Sequence, residues 1–255
     1  MGSVAEFANK QAIAGAFGRA ADNYDVVAKL QQQTGEFLMQ QVGEHSGKLV
    51  LDAGCGTGFF SHRWRQQGKQ VIGLDLASGM LAHARKQLAA DYYLQADIEH
   101  LGLADNSVDI CFSNLVVQWC DDLSSALREL YRVTRPGGLI LFSTLAKGSL
   151  YELKQAWSVV DNYQHINQFQ PQQTIKDACQ GFRHCLISQV YRQQYSHILP
   201  LLGSLKGIGA THLHDGRQQG LMTRGRLIAL EQAYPRENEQ LPLSYQVVFG
   251  VIHRD

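Results

Sequence analysis

No stretch of this chain approaches the ~18 consecutive apolar residues that carry a helix across a membrane. Its start, Met1-Gly2-Ser3-Val4-Ala5-Glu6, lacks both the basic segment and the apolar core of an export signal, which predicts a cytoplasmic protein with no membrane partner. An excess of charge of either sign is missing too. Lys and Arg together number 23, as do Asp and Glu, so no overall field draws in nucleic acid or an anionic surface. Cysteine is sparse: Cys55, Cys111, Cys120, Cys179 and Cys185 contain no C-x-x-C pair, and an odd, scattered set suits reduced thiols rather than a disulfide framework. Histidine forms no ligand cluster. His212 and His214 stand at i, i+2, but no third ligand follows at a recognisable spacing, so no metal is expected. At 255 residues, without repeats or a low-complexity linker, the chain suits one large α/β domain or such a domain with a small inserted cap.

Against these absences, the run from Leu49 to Gly58 (LVLDAGCGTG) reads as a buried parallel strand ending in a ligand-binding turn. Open α/β sheets bind ligands at the carboxyl ends of their strands, and glycines let a backbone turn tightly and a ligand approach it closely. Three glycine patterns compete. A dinucleotide fold wants G-x-G-x-x-G, and a P-loop wants G-x-x-x-x-G-K-[ST]. Here Gly54, Gly56 and Gly58 give G-x-G-x-G, and Lys69 lies beyond any P-loop position. Phe59 and Phe60 put aromatic bulk at the helix start, where a pyrophosphate would need free amides. The turn is therefore shaped for an uncharged or zwitterionic ligand. Asp52 ends the strand, and Cys55 lies within the turn, either as a pocket-lining thiol or as a nucleophile.

Asp52-Ala53-Gly54-Cys55-Gly56-Thr57-Gly58 is similar to the first motif of the class I S-adenosylmethionine-dependent methyltransferases. Four further segments follow in family order: Val71–Asp75 as the second strand, Gln95–Ile98 after a short third one, Val108–Asn114 as the fourth, and Arg135–Gly138 before a fifth. The resemblance implies a Rossmann-like α/β fold. Its seven-stranded sheet is mostly parallel with an antiparallel last strand, and helices lie on both faces beneath a helical cap. It also implies S-adenosylmethionine as the cofactor, with Asp75 on the ribose hydroxyls and Asp97 on the adenine amino group. The remaining cofactor-binding residues it implies are Asp52, Gly54, Cys55, Gly56, Gly58, Leu76, Met80, Ile98, Asn114, Leu115 and Tyr24. Asp75 alone discriminates nothing, because dinucleotide folds also put an acid about 20 residues on.

The chain, 1–255, reads as a single methyltransferase domain with three regions: a helical segment over 9–45, a cofactor-binding core over 46–145, and a helical cap over 197–236 inserted before the last strand. Ile13 and Phe17 form an i, i+4 apolar pair on the first helix. A helix after Asp121-Asp122 carries Leu123, Leu127 and Leu130 as its buried stripe, with Asp and Ser at its start to satisfy free amides. Another helix runs to Tyr163, with Ser149 as its cap and Glu152 in the capping-box position. Cys185–Tyr191 has strand character, and Tyr245–Ile252 is continuous enough for a central strand.

Lys10–Tyr24, Ser113–Cys120, Leu127–Val133 and Ser204–Thr211 resemble more narrowly the malonyl-[acyl-carrier-protein] O-methyltransferases, which act early in biotin synthesis. That resemblance implies methyl transfer to the free carboxylate of a malonyl thioester, with acyl carrier protein as partner. A carboxylate is ionised at neutral pH, so no general base is required. A cation must select it instead, and Arg128 and Lys206 are the candidates, each otherwise an ordinary surface residue. Trp119 either walls the methyl group or packs behind the fourth strand; Tyr24 and Phe17 either close over the cofactor or anchor the first helix. Lys206, Arg217, Arg224 and Arg226 offer a basic face for an acidic carrier. Three alternatives stay open on these residues: a methyltransferase for another small molecule such as a quinone precursor or free acid, a protein that binds the methyl donor without turnover, and a nicotinamide oxidoreductase.

Overall fold

The computed structural model describes residues 4–21, 24–207 and 223–255. Seven strands form one sheet: β1 (Leu49–Ala53), β2 (Gln70–Asp75), β3 (Tyr92–Gln95), β4 (Val108–Asn114), β5 (Thr134–Leu145), β6 (Arg183–Tyr195) and β7 (Leu241–His253). Their spatial order is β3-β2-β1-β4-β5-β7-β6. The first five pair in parallel, while β7 runs antiparallel to both β5 and β6. The order reverses at β1, and the glycine turn after β1 sits at that switch point, where open α/β sheets take their ligands.

The central strands read as near-continuous apolar runs because both faces are covered. Val50, Ile110, Phe112, Leu139 and Leu141 join one core; their neighbours Leu51, Cys111, Ile140 and Phe142 join the other. On the first face lie α3 (Lys29–Gln40), α4 (Phe59–Gln66) and α7 (Tyr151–Val160), which supply Leu38, Trp64 and Trp157. On the second, α6 (Leu123–Val133) buries Leu127, Leu130 and Val133, and α8 (Gln172–Ala178) adds Ile175. Near the strand ends α5 (Ser78–Lys86) meets α1 (Val4–Ala20), followed by the short α2 (Tyr24–Val27). Beyond β6, α9 (Ile198–Gly207) packs against α2, β6 and β7, and α10 (Arg224–Ala233) against α7. No helix among the described residues is long and apolar enough to cross a membrane.

Several local expectations need correcting. The helical N-terminal region is three helices, and α1 begins at Val4 rather than at residue 9. Arg135–Gly138 is part of β5 rather than a turn before it, since Gly137 and Gly138 exchange backbone hydrogen bonds with Arg254 at the end of the chain. The Ser149–Glu152 capping box does not form. Leu150 holds the N-cap of α7 in a left-handed conformation without a side-chain cap, and α7 ends at Val160. Ser149 Oγ instead accepts the Gln246 amide, and Glu152 accepts both the amide and hydroxyl of Ser244. A spacing that would cap the helix locally is used to pin it to β7. On α6 the expected cap does form: Asp122 accepts the amides of Ser124 and Ser125.

Candidate functional site

Above the carboxyl ends of β1, β2, β3 and β4 lies a largely apolar cavity of about 780 Å³, counting its open mouth. The turn after β1 forms its floor. Gly54 and Gly58 both have positive φ, +83° and +91°, where an L side chain is strained. Space forbids one as well: a Cβ on Gly54 would stand 2.2 Å from Val116, and one on Gly58 would stand 2.3 Å from Ala89. A Cβ on Gly56 would meet nothing within 4 Å. Two glycines thus let the backbone fold against its neighbours, and the middle one leaves its surroundings open.

Asp75 ends β2 and lines the cavity. Among the described residues its carboxylate accepts backbone amides, including those of Gly56 at 2.9 Å and Ala77 at 2.8 Å. Burial pushes its carboxyl above the ordinary value, and the amide bonds pull the other way. A half-buried carboxylate with spare lone pairs and no cation among the described residues is a receptor for hydroxyl donors. Asp97 follows β3 and faces the same cavity, together with Ile98, Leu76 and Met80. Asp52 is directed elsewhere: it lines a smaller adjoining cavity and accepts the Ser61 hydroxyl at 2.6 Å.

The lid of the main cavity is α1, which contributes Lys10, Ile13, Ala14 and Phe17. These residues share one helical face by their spacing of three and four. Phe17 stands edge-on to Trp119 at 5.4 Å between ring centroids and 6.3 Å from Tyr24. All three rings line the cavity, so Trp119 faces the site rather than packing away behind β4. Tyr24 keeps its proton, because burial and the nearby Asp75 and Asp25 carboxylates raise its phenol above the usual range. Past Tyr24, Gly54, Gly56 and Asn114 the space continues into the smaller cavity, whose polar lining includes Asp25, Gln31 and Thr57. Thr57 Oγ1 donates to Asp25 at 2.7 Å and ties α2 to the glycine turn.

Asn114 is committed to scaffold bonds. Its Oδ1 accepts the hydroxyls of Thr34 and Ser143, and its Nδ2 donates to the Gln31 carbonyl. It therefore fixes α3 over the end of β4, and only its flank meets the cavity. Leu115, at φ 54°, turns the chain toward Trp119 and lines the wall. Cys55 lines the smaller cavity, where burial and then Asp52 push its thiol well above the ordinary value. A thiol so disfavoured as a thiolate is a wall and not a nucleophile.

Neither cation expected for the substrate lines the main cavity. Arg128 lies on the outer face of α6 with 62% of its side chain exposed, bonded to the N-cap Asp122 and to Ser125 of the same helix. Lys206 is exposed on the last turn of α9, the helix that packs on α2. Of the basic face, Arg224 is exposed at the start of α10, whereas Arg226 is bonded to Asp161 and lies over the Trp157 ring. Arg217, His212, His214 and the end of the Ser204–Thr211 segment lie outside the described residues. Sequence reasoning missed Lys10, Ala14, Gln31 and Thr57 as lining residues. Only the first two carried a signal, by sharing a helical face with Ile13 and Phe17.

Residues 51–142 match the family model described as a methyltransferase domain. A Yersinia pestis protein named malonyl-[acyl-carrier protein] O-methyltransferase is 60% identical over 97% of this chain and 92% of its own length. One of the same name from Serratia marcescens is 56% identical over the whole of both chains. Among solved structures, the YcgJ protein from Bacillus subtilis superposes with a TM-score of 0.59 at 15% identity, covering 88% of this chain and 99% of that one. That last likeness establishes the fold alone.

Proposed function

The chain belongs to the malonyl-[acyl-carrier protein] O-methyltransferase family, and on that premise we propose how its residues divide the work. The enzyme transfers the methyl group of S-adenosylmethionine to the free carboxylate of a malonyl group carried by acyl carrier protein. The relatives' names do not favour a quinone precursor or a free acid as acceptor. The methyl ester masks a charge that chain-elongating enzymes would not accept, and so primes pimeloyl synthesis for biotin.

One observation carries the site assignment: Asp75 and Asp97 stand at the ends of neighbouring strands and face a common apolar cavity. Their chemistry fits an adenosine between them. Asp75 takes the ribose hydroxyls and Asp97 the exocyclic amine, with Leu76, Met80 and Ile98 against the ring. The amino-acid head lies toward the smaller cavity over Gly54 and Gly56, where Asp25, Gln31 and Thr57 suit a zwitterion. When bound, S-adenosylmethionine supplies a methyl group made electrophilic by its sulfonium.

The acceptor carboxylate arrives ionised, since its ordinary pKa is near 4, and no residue needs to remove a proton. The protein instead aligns the carboxylate and strips part of its water. Phe17, Tyr24 and Trp119 form an apolar wall suited to that task. Good alignment of two reactants is worth up to roughly 7–11 kcal/mol. Of the two cations, Lys206 is retained as the residue that draws the carboxylate in, because α9 packs on α2 beside the cavity; Arg128 is not. The described part of the cap, to which specificity is assigned, is α9 and α10.

Labelled methyl donor with malonyl carrier protein, malonyl coenzyme A and free malonate tests the reading. Base-labile label on the carrier is expected, as a carboxyl ester requires. Transfer to free malonate alone, or to no malonyl thioester, would overturn it.

A further inference from the structure

Lys10 rides on α1, 87 residues from its partner Asp97 along the chain. Its ammonium meets three carboxylates: Asp97 at 2.7 Å, Asp121 at 3.1 Å, and Glu99 in still closer contact. Burial works against a charge there, and the three carboxylates outweigh it, holding the ammonium above its ordinary value. Lys10 is therefore charged at any pH the protein meets.

The three acceptors do different things. Glu99 is buried and also accepts the backbone amides of Asp121 and Asp122, which shapes the entry to α6. Asp121 is a third exposed at the rim. Asp97 alone of the three lines the cavity. One of its oxygens holds Lys10, and the other accepts the Glu99 amide at 3.0 Å. A carboxylate held on both oxygens by separate donors keeps one orientation. Without Lys10, three carboxylates would face each other with no cation between them, and the Asp97 oxygen that Lys10 holds would lose that donor.

We propose that Lys10 is a positioning residue: it fixes the Asp97 carboxylate for the exocyclic amine of adenine, and so couples closure of α1 over the cavity to recognition of that amine. The inference rests on the assignment of Asp97 to the adenine. Other contacts keep α1 in place without it, namely Phe17 against Trp119 and the backbone of Gly18 against Gly79. A Lys10 variant is thus expected to fold with α1 still docked.

The test compares S-adenosylhomocysteine with its analogue that carries hydrogen in place of the purine 6-amino group. Dissociation constants are measured by calorimetry for the unmodified protein and for Lys10→Met, Lys10→Arg and Asp97→Ala, with thermal melts to establish folding. The unmodified protein is expected to prefer the amino form by about tenfold or more, the worth of a hydrogen bond to a charged group. Lys10→Met should bring that preference to within about threefold, Lys10→Arg should restore most of it, and Asp97→Ala should abolish it. A purely structural Lys10 would weaken both ligands equally and leave their ratio unchanged. If the ratio survives Lys10→Met but not Asp97→Ala, the inference about Lys10 is wrong. If it survives Asp97→Ala, the adenine assignment itself falls, and the inference with it.

Discussion

Asp52 is 3% exposed and has the Ser61 hydroxyl for a donor but no cation among the described residues. Burial, with Asp75 adding to it, pushes its carboxyl up to about 7 against the pull of Ser61. An unfolded aspartate titrates near 3.9. Between about pH 4 and pH 7 the folded state therefore keeps a proton that the unfolded state has released. The stabilisation this gives is full below that window and is lost as pH rises through 7. Denaturant unfolding of the parent and Asp52→Asn at pH 5 and pH 8 should show the parent losing about 2–3 kcal/mol relative to the variant. A constant difference between the two would mean that Asp52 stays ionised throughout. At this scale the sequence was informative where the backbone decides. A residue at or just past a strand end must face the crevice or the core, so the places of Asp75 and Asp97 were legible from their strands, and their roles from the family resemblance. Lys10 was not, because a lysine on a helix looks like surface until the helix is placed against something.

Helix α7 makes the same point for an element. Ser149 and Glu152 have the spacing of a capping box, yet Glu152 is 1% exposed and spends its oxygens on the Ser244 amide at 3.0 Å and hydroxyl at 2.5 Å. Losing a cap costs about 1 kcal/mol, whereas stranding two buried donors costs about 1–3 kcal/mol for each. Glu152→Ala is thus expected to lower the unfolding free energy by about 2–6 kcal/mol. A double-mutant cycle with Ser244→Ala should return a coupling above about 1 kcal/mol. Additive effects would show that the pair does not join α7 to β7. Helix α6 was read correctly because its cap, its apolar stripe and its end all lie within a dozen residues. Arg128 on that helix, a candidate for the substrate, lies away from the cavity, and sequence could not show this for a complementary reason. The stripe Leu127–Leu130 shows which face is buried, but no local pattern shows what the opposite face meets.

For the whole molecule the decisive element is β7, inserted between β5 and β6. Among the described residues β6 pairs with no other strand, and all thirteen of its residues find partners there. Gly250 leaves room for the Phe142 ring, which a Cβ would meet at 2.0 Å. The two faces of β7 feed both cores through Phe249 and Val248. Removing residues 241–255 would strip β6 of its partner and open both cores. The truncated chain should lose its cooperative thermal transition by circular dichroism; a sharp melt near that of the full chain would show that β7 is dispensable.

The sequence by itself determined the glycine turn and the strand that feeds it, while the roles of the two carboxylates that follow and the cofactor were read from the family resemblance those motifs carry. The turn and its strand are consequences of backbone geometry over short spans: a strand end and a turn that needs positive φ. Only the tertiary structure decided that α1 roofs the cavity, that Lys10 binds Asp97, that Glu152 serves β7 and that Arg128 faces water. Each of those depends on which helix face meets the sheet. That is settled by packing between segments far apart in the chain, where spacing along the sequence carries no distance information.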